Sequence, residues 1–275
     1  MTNFSVITSV YKNDTPKYVR VALDSMLVNQ SVKPTEIVLV RDGSVPDELD
    51  ALLDEYEALY HNVFNIIRLK LNGGLGKALK LGVETAKYDI IARMDSDDIC
   101  LPYRFEKQLA YMDMHPDCDI VGGQMTEFID TPDNIVGKRV VPESNEAIYK
   151  YMKSRCALNH VTVMFRKDSV LKAGNYQDWF WNEDYYLWVR MMMAKCQFAN
   201  LPDVLVNVRS GVDQYARRGG MKYFRSEVGI QRYMLNNQLI NRGGGYLINV
   251  AKRLIVQVLL PNNIRGWVFR TFARK

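Results

Sequence analysis

Three carboxylates fall within four residues at Asp95-Ser96-Asp97-Asp98, directly after the apolar run Asp89–Met94. Like charges this close repel one another unless a cation neutralises them. Hard divalent ions such as Mg2+ or Mn2+ take carboxylate oxygens, and Mg2+ is commonly held by one or two carboxylates together with substrate phosphates. No His/Cys ligand set for zinc is present. A second acidic pair, Glu183-Asp184, opens the apolar helical run EDYYLWVRMMMAK and follows Trp179-Phe180-Trp181. Carboxylates at a helix start also serve as caps and dipole partners. Aromatic faces next to carboxylates suit the stacking of sugar rings, and core packing is open to each aromatic separately.

The elements that must position these groups alternate regularly through the first hundred residues. Strands are expected at Phe4–Val10, Glu36–Val40, Phe64–Leu69 and Asp89–Met94, and helices at Lys17–Asn29, Pro46–Tyr60 and Leu75–Ala86. This order implies an α/β fold with a mostly parallel mixed sheet flanked by helices, because parallel neighbours need crossover connections. Functional groups on such a sheet belong at the carboxyl ends of its strands. Three strand ends are polar or acidic: Thr8-Ser9-Val10-Tyr11, Arg41-Asp42-Gly43-Ser44 and the Asp95 cluster. An Asp after a strand can simply start a turn, but three convergent ends imply a site.

Beyond Pro102 the pattern predicts helices at Tyr103–His115, Glu143–Lys153 and Glu183–Lys195. Strands are predicted at Ile120–Phe128, Ile135–Val141, His160–Arg166 and Leu205–Arg209. Gly73-Gly74-Leu75-Gly76-Lys77 lacks phosphate-loop spacing, with Leu71 in place of the first Gly and Ala78 in place of Ser/Thr. A helix N-terminus at Gly74 with Lys77 nearby still suits a diphosphate. Arg217 and Arg218, in a Gly-rich stretch, could close over such a group or form a solvated basic loop.

The 275 residues suggest one or two domains. The net charge of +5 divides unevenly. Val228–Lys275 holds eight Lys/Arg and no Asp/Glu, leaving 28 basic and 31 acidic groups in residues 1–227. The acidic body argues against nucleic-acid binding. Four cysteines without a CxxC pair indicate a reducing compartment. The N-terminus shows no signal peptide, and no apolar run reaches membrane-spanning length.

The chain resembles family 2 inverting glycosyltransferases with the nucleotide-sugar-binding GT-A fold, as found in bacterial capsule, exopolysaccharide and lipopolysaccharide assembly. The resemblance covers residue 4 to about 225. It is carried by FSVITSVYKND, VLVRDGS, LNGGLGKAL, RMDSDDICLPYRFEKQ, NHVTVMFRK, WNEDYYLWVRM and RRGGMKYFRSE. It implies that Thr8, Ser9 and Tyr11 line a nucleotide pocket and that Asp42 accepts a hydrogen bond from the base, commonly uracil. The family usually has Asp at both positions of that turn; here the first is Arg41. Asp95, with Ser96 beside it, would contact ribose or donor sugar, and Asp97 would ligate Mn2+ or Mg2+. Asp184 would be the general base with Glu183 positioning, and His160 and Trp181 would touch substrate.

No Gln-x-x-Arg-Trp signature of processive synthases is present, so transfer of a single sugar is expected. The donor would be a UDP-sugar and the acceptor a saccharide or polyprenyl-linked saccharide. Residues 1–225 would form the catalytic domain and 226–275 a basic amphipathic extension. Over Gly245–Leu260, Leu247, Val250, Ala251, Leu254 and Val258 share one face, with Asn249, Arg253 and Gln257 opposite. Ile264, Trp267, Val268 and Phe272 continue the amphipathic pattern among further Arg residues. Such a tail suits an anionic membrane surface or docking on the catalytic domain. The expected location is cytoplasmic, peripheral on the inner membrane. Two other classes fit less well: a sugar-phosphate nucleotidyltransferase would carry a basic Gly-rich N-terminal loop, and a non-catalytic binding protein would not need Asp97 and Asp184.

Overall fold

The computed structural model describes residues 2–211 and 219–261. Four strands form the expected parallel half: β1 (Ser5–Val10), β2 (Glu36–Arg41), β3 (Phe64–Arg68) and β4 (Ile90–Arg93). They are joined by α1 (Pro16–Met26), α2 (Asp47–Leu59) and α3 (Leu75–Thr85). Pro16 opens α1, where a missing N–H costs nothing. Three carboxylates in the first turn of α2 complement its dipole. Ile37, Val38, Leu39 and Val40 of β2 are fully buried, as a strand covered on both faces requires.

The strand order β3-β2-β1-β4 reverses direction of travel between β1 and β4. That switch point opens a crevice at their carboxyl ends. The sheet continues through β5 (Ile99–Cys100), β6 (Ile120–Phe128), β7 (Ile135–Arg139), β8 (Met164–Arg166) and β9 (Phe198–Arg209), with β8 antiparallel to β4 and β6. Helices α4 (Arg104–Met114), α5 (Asn145–Met152), α6 (Lys167–Lys172) and α7 (Glu183–Met193) complete this part. One core lies under α1, α2 and α4 and a second under α3, α5 and α7.

The structure adds β5 and α6, which the pattern does not predict, and differs from expectation in three further elements. The strand expected at His160–Arg166 is a tight helical turn, His160–Thr162, before the short β8. The strand expected at Leu205 begins at Phe198 and runs through Pro202; register shifts opposite, at Gly123–Met125, accommodate the proline. Helix α8 (Met221–Asn236) was not predicted, and it runs through the expected domain boundary at 225/226.

The C-terminal segment 242–259 is helical, with α9 (Ile248–Arg253) between two wider π-helical stretches. Its polar stripe faces inward. Asn249, Arg253 and Gln257 are buried, while Leu247, Ile248, Leu254, Ile255 and Leu259 are exposed. Asn249 donates to the Lys153 carbonyl (3.0 Å) and Arg253 to the Ser154 carbonyl (2.8 Å). Arg253 also pairs with Glu227 of α8 at 2.9 Å. The segment therefore docks on the body through hydrogen bonds and leaves its apolar face outward. The second amphipathic stretch, from Ile264, and Arg217 and Arg218 lie outside the described residues.

Candidate active site

A cavity of about 1210 Å³ opens at the carboxyl ends of β1, β2 and β4. Ser9 and Tyr11 line it. Thr8 does not: it shares a face with Val6 and Val10 and is buried in the α1 core, since neighbouring strand residues point to opposite faces. Asp42 lies on the wall with both carboxylate oxygens engaged, accepting from the N–H groups of Gly73 (2.7 Å) and Gly74 (2.8 Å). An ionised carboxylate has about four lone-pair positions, so Asp42 keeps acceptor capacity for a ligand N–H. Gly43 lets these loops meet: a Cβ there would lie 2.7 Å from the Asn72 nitrogen, and its φ of +86° suits only glycine well. Arg41 turns away from the cavity and pairs with Asp50 of α2 at 2.6 Å.

The acidic turn divides its carboxylates among separate tasks. Asp98 is structural: it is buried and accepts from the Arg209 N–H at 2.8 Å, tying the turn to β9. Asp95 is gripped through both oxygens by the guanidinium of Arg93, which is itself fully buried. Ser96 donates to Asp14 (2.9 Å), a cavity residue that also accepts from the Tyr11 N–H (3.0 Å). Asp97 reaches solvent at the cavity floor yet is closely enclosed. Burial, then the charges of Asp95 and Asp14, push its carboxyl up to about 6. Burial likewise raises Asp14 to about 6.

These oxygens suit a hard divalent cation, because its charge would relieve the burden on Asp97 and Asp14. Among the described residues no three His, Cys, Asp or Glu side chains are grouped closely enough to hold an ion alone. A cation at Asp97 would therefore complete its shell with substrate oxygens and water, as Mg2+ commonly does.

Helix α7 brings Glu183 and Asp184 to the wall beside α3. Gly76 permits the approach, since its missing Cβ would sit 3.5 Å from that of Glu183. Burial and the adjacent Asp184 charge push Glu183 up to about 7. The Cys156 thiol lies 4.0 Å from Asp184 Oδ2. Before the helix, Trp181 is half exposed on the wall, stacked on Phe180 (5.0 Å between ring centroids). Its φ of +54° is rare for so bulky a residue, and such outliers concentrate at functional sites. Trp179 instead packs on Tyr186 and donates to the Ser226 carbonyl at 3.0 Å.

The sequence model for "Glycosyl transferase family 2" matches residues 5–179. The chain belongs to glycosyl transferase family 2. It is 42% identical over 232 residues to the "Amylovoran biosynthesis glycosyltransferase AmsE" of Erwinia amylovora, covering 84% of this chain and 85% of that one. It is 34% identical over 272 residues to the "UDP-Gal:alpha-D-GlcNAc-diphosphoundecaprenol beta-1,3-galactosyltransferase" of Escherichia coli, covering 99% and 97%. The crystal structure of S. aureus TarS 1-349 superposes with a TM-score of 0.65 at 18% identity, covering 98% of this chain and 74% of that one. The expected GT-A architecture, with its C-terminal helices, is thus the fold of this glycosyltransferase.

Of the residues singled out in the sequence, Ser9, Tyr11, Asp42, Gly74, Asp95, Ser96, Asp97, Trp181, Glu183 and Asp184 share the transferase's one large cavity. Three do not line it: Thr8, Lys77 and His160. Lys77 is exposed on α3. His160 hydrogen-bonds the Tyr176 hydroxyl (2.9 Å) and packs edge-on to Trp188. Burial, with Arg93 nearby, lowers its pKa and keeps the ring neutral, so His160 packs as a neutral group among Tyr176 and Trp188. Sequence reasoning missed Asp14, Arg93 and the far wall, formed by Arg139, Arg155, Glu227, Lys252, Arg253 and Gln257. Asp14 lies three residues beyond Tyr11 and its carboxylate reaches back to the Tyr11 N–H. Nothing local marks the far wall, which depends on how the C-terminal segment docks.

Proposed function

We propose that this glycosyltransferase moves one sugar, with inversion, from a UDP-sugar to a hydroxyl of a lipid-linked saccharide during cell-surface polysaccharide synthesis. The observation that carries this reading is one cavity with Asp95 and Asp97 on the strand-end wall and Asp184 on the facing α7 wall. The named activities of the E. coli and E. amylovora relatives support the UDP-sugar donor, the diphosphate-linked acceptor and the polysaccharide product.

In this reading Asp42 accepts from the uracil N–H, Tyr11 covers the base and Asp95, fixed by Arg93, binds ribose or donor sugar. A Mn2+ or Mg2+ ion held by Asp97 would supply Lewis-acid stabilisation of the departing diphosphate. Asp184 takes the proton of the acceptor hydroxyl as its oxygen bonds to the anomeric carbon and the bond to the diphosphate breaks. Attack from the side opposite the leaving group inverts the centre. Glu183 keeps a negative neighbour at Asp184 once it ionises, which raises the affinity of Asp184 for that proton. Trp181 offers a face for the acceptor ring.

The outward apolar face of segment 242–259, in a region holding eight Lys/Arg and no acid, supports peripheral attachment to an anionic bilayer, on the cytoplasmic face of the inner membrane. Calorimetric titration of UDP-, GDP- and dTDP-sugars with Mn2+, followed by transfer assays on wild type and Asp184→Asn, tests the mechanism. UDP-sugar binding retained with transfer lost is the expected result; turnover retained in the variant would remove Asp184 as base. Flotation with anionic vesicles tests attachment, and failure of the full-length protein to float would overturn it.

A further inference from the structure

We infer that Arg155 and Lys252 form a second anion subsite, which binds the diphosphate of an isoprenoid-diphosphate acceptor. The assignment rests on the lipid-linked acceptor proposed above. At about 1210 Å³ the cavity exceeds the roughly 300–1,000 Å³ usual for a site that takes one small ligand. Its charges come from different elements. Asp14, Asp95 and Asp97 line it from the strand-end turns and Glu183 and Asp184 from α7, while Arg139, Arg155, Lys252 and Arg253 line it from β7, the loop after α5 and the C-terminal segment, with Glu227 as the acid among them. A diphosphate at the acidic side needs a cation between; a second diphosphate has cations waiting only at the far side.

The four cations are not equivalent. Arg253 is committed to Glu227 and to the carbonyls of Asn249 and Ser154. Arg139 donates to the Cys156 carbonyl at 2.8 Å. Among the described residues, Arg155 and Lys252 form no ion pair. The Arg253–Ser154 hydrogen bond clamps α9 onto the loop that carries Arg155, so the two uncommitted cations stand next to the bonded residues in sequence and both line the cavity. A guanidinium fork and an ammonium suit phosphate oxygens.

Two further features orient the ligand. Cys156, next to Arg155, reaches Asp184 at 4.0 Å, so a sugar bonded to a diphosphate at Arg155 lies beside the candidate base. On the other side the same helical segment presents Leu247, Ile248, Leu254, Ile255 and Leu259 outward, where an isoprenoid chain would lie.

The test uses the full-length protein with UDP and Mn2+ saturating, so the donor end is filled, and titrates farnesyl diphosphate, farnesol and inorganic pyrophosphate. Farnesyl diphosphate should bind alongside UDP. Arg155→Gln and Lys252→Gln should each weaken it about tenfold, leaving UDP affinity and the melting temperature unmoved. Farnesyl diphosphate that competes with UDP, or that binds both variants as it binds wild type, would overturn the subsite. Equal binding of farnesol would overturn the anion contact, and equal binding of pyrophosphate would overturn the lipid as its source. Failure of UDP to bind the wild type would overturn the donor reading and the subsite with it, whereas loss of the farnesyl diphosphate result alone leaves the donor reading standing.

Discussion

On the strand-end side of the cavity the charges are carboxylates seated in turns, and each is held by backbone or by a neighbour: Asp42 by two glycine N–H groups, Asp14 by the Tyr11 N–H, Asp95 by Arg93. On the far side the charges ride on long side chains: Arg155 in the loop after α5, and Lys252 and Arg253 on a helix whose polar stripe turns inward. The first arrangement fixes positions and accepts poor solvation, which is why Asp14 and Asp97 rise to about 6. The second leaves two heads adaptable. A reacting centre needs the former, because misplacement costs rate steeply; a variable lipid diphosphate tolerates the latter.

This contrast can be broken by substitution, and the largest effect should come at the fixed wall. Asp184→Asn should lower kcat by about 10²–10⁴-fold, the usual contribution of a general base, with UDP-sugar affinity kept. Asp97→Ala should lose Mn2+-dependent transfer and the Mn2+-dependent part of UDP binding, read by calorimetry with and without the metal. On the far wall, Arg253→Ala leaves the largely buried Glu227 without its cation, with Gln257 still donating to it, and urea denaturation should show a loss of about 3 kcal/mol. Its outer face should behave oppositely. Replacing Leu247, Ile255 and Leu259 by Ser should change stability by only about 0.5 kcal/mol per site while abolishing vesicle flotation.

The smallest effect is a pH dependence. The carboxyl of Glu183 stands at about 7 in the fold against 4.5 when free, so the folded state holds its proton more tightly. Its stabilisation is therefore present below about 4.5 and lost as pH rises toward 7. Denaturation midpoints at pH 5 and pH 8 should differ in wild type and differ by less in Glu183→Gln, the remainder coming from the raised carboxyls of Asp14 and Asp97.

The parallel half and its strand ends were legible because each fully covered strand, such as Ile37–Val40, must be a continuous apolar run ending in polar residues. Thr8 does not line the cavity because a strand end exposes alternate side chains, and Ser9 and Tyr11 have the parity that faces it. His160 was misread because a lone imidazole in sequence does not reveal the Tyr176–Trp188 packing that encloses it. The inward polar stripe was illegible for a deeper reason. Periodicity shows that one helix face is apolar, but it does not say which face the body covers; here a polar cavity wall and Glu227 took the polar one.

Trp181 has one more consequence. Among the described residues Trp188 is fully buried and Trp179, though it also lines the cavity, is half-buried against Tyr186, while Trp181 stands half exposed on the wall. Its indole emission should shift to the blue when a saccharide ring covers it, and Trp181→Phe should remove that shift. The molecule thus carries its own optical gauge of acceptor occupancy, readable without a label and before any bond is made.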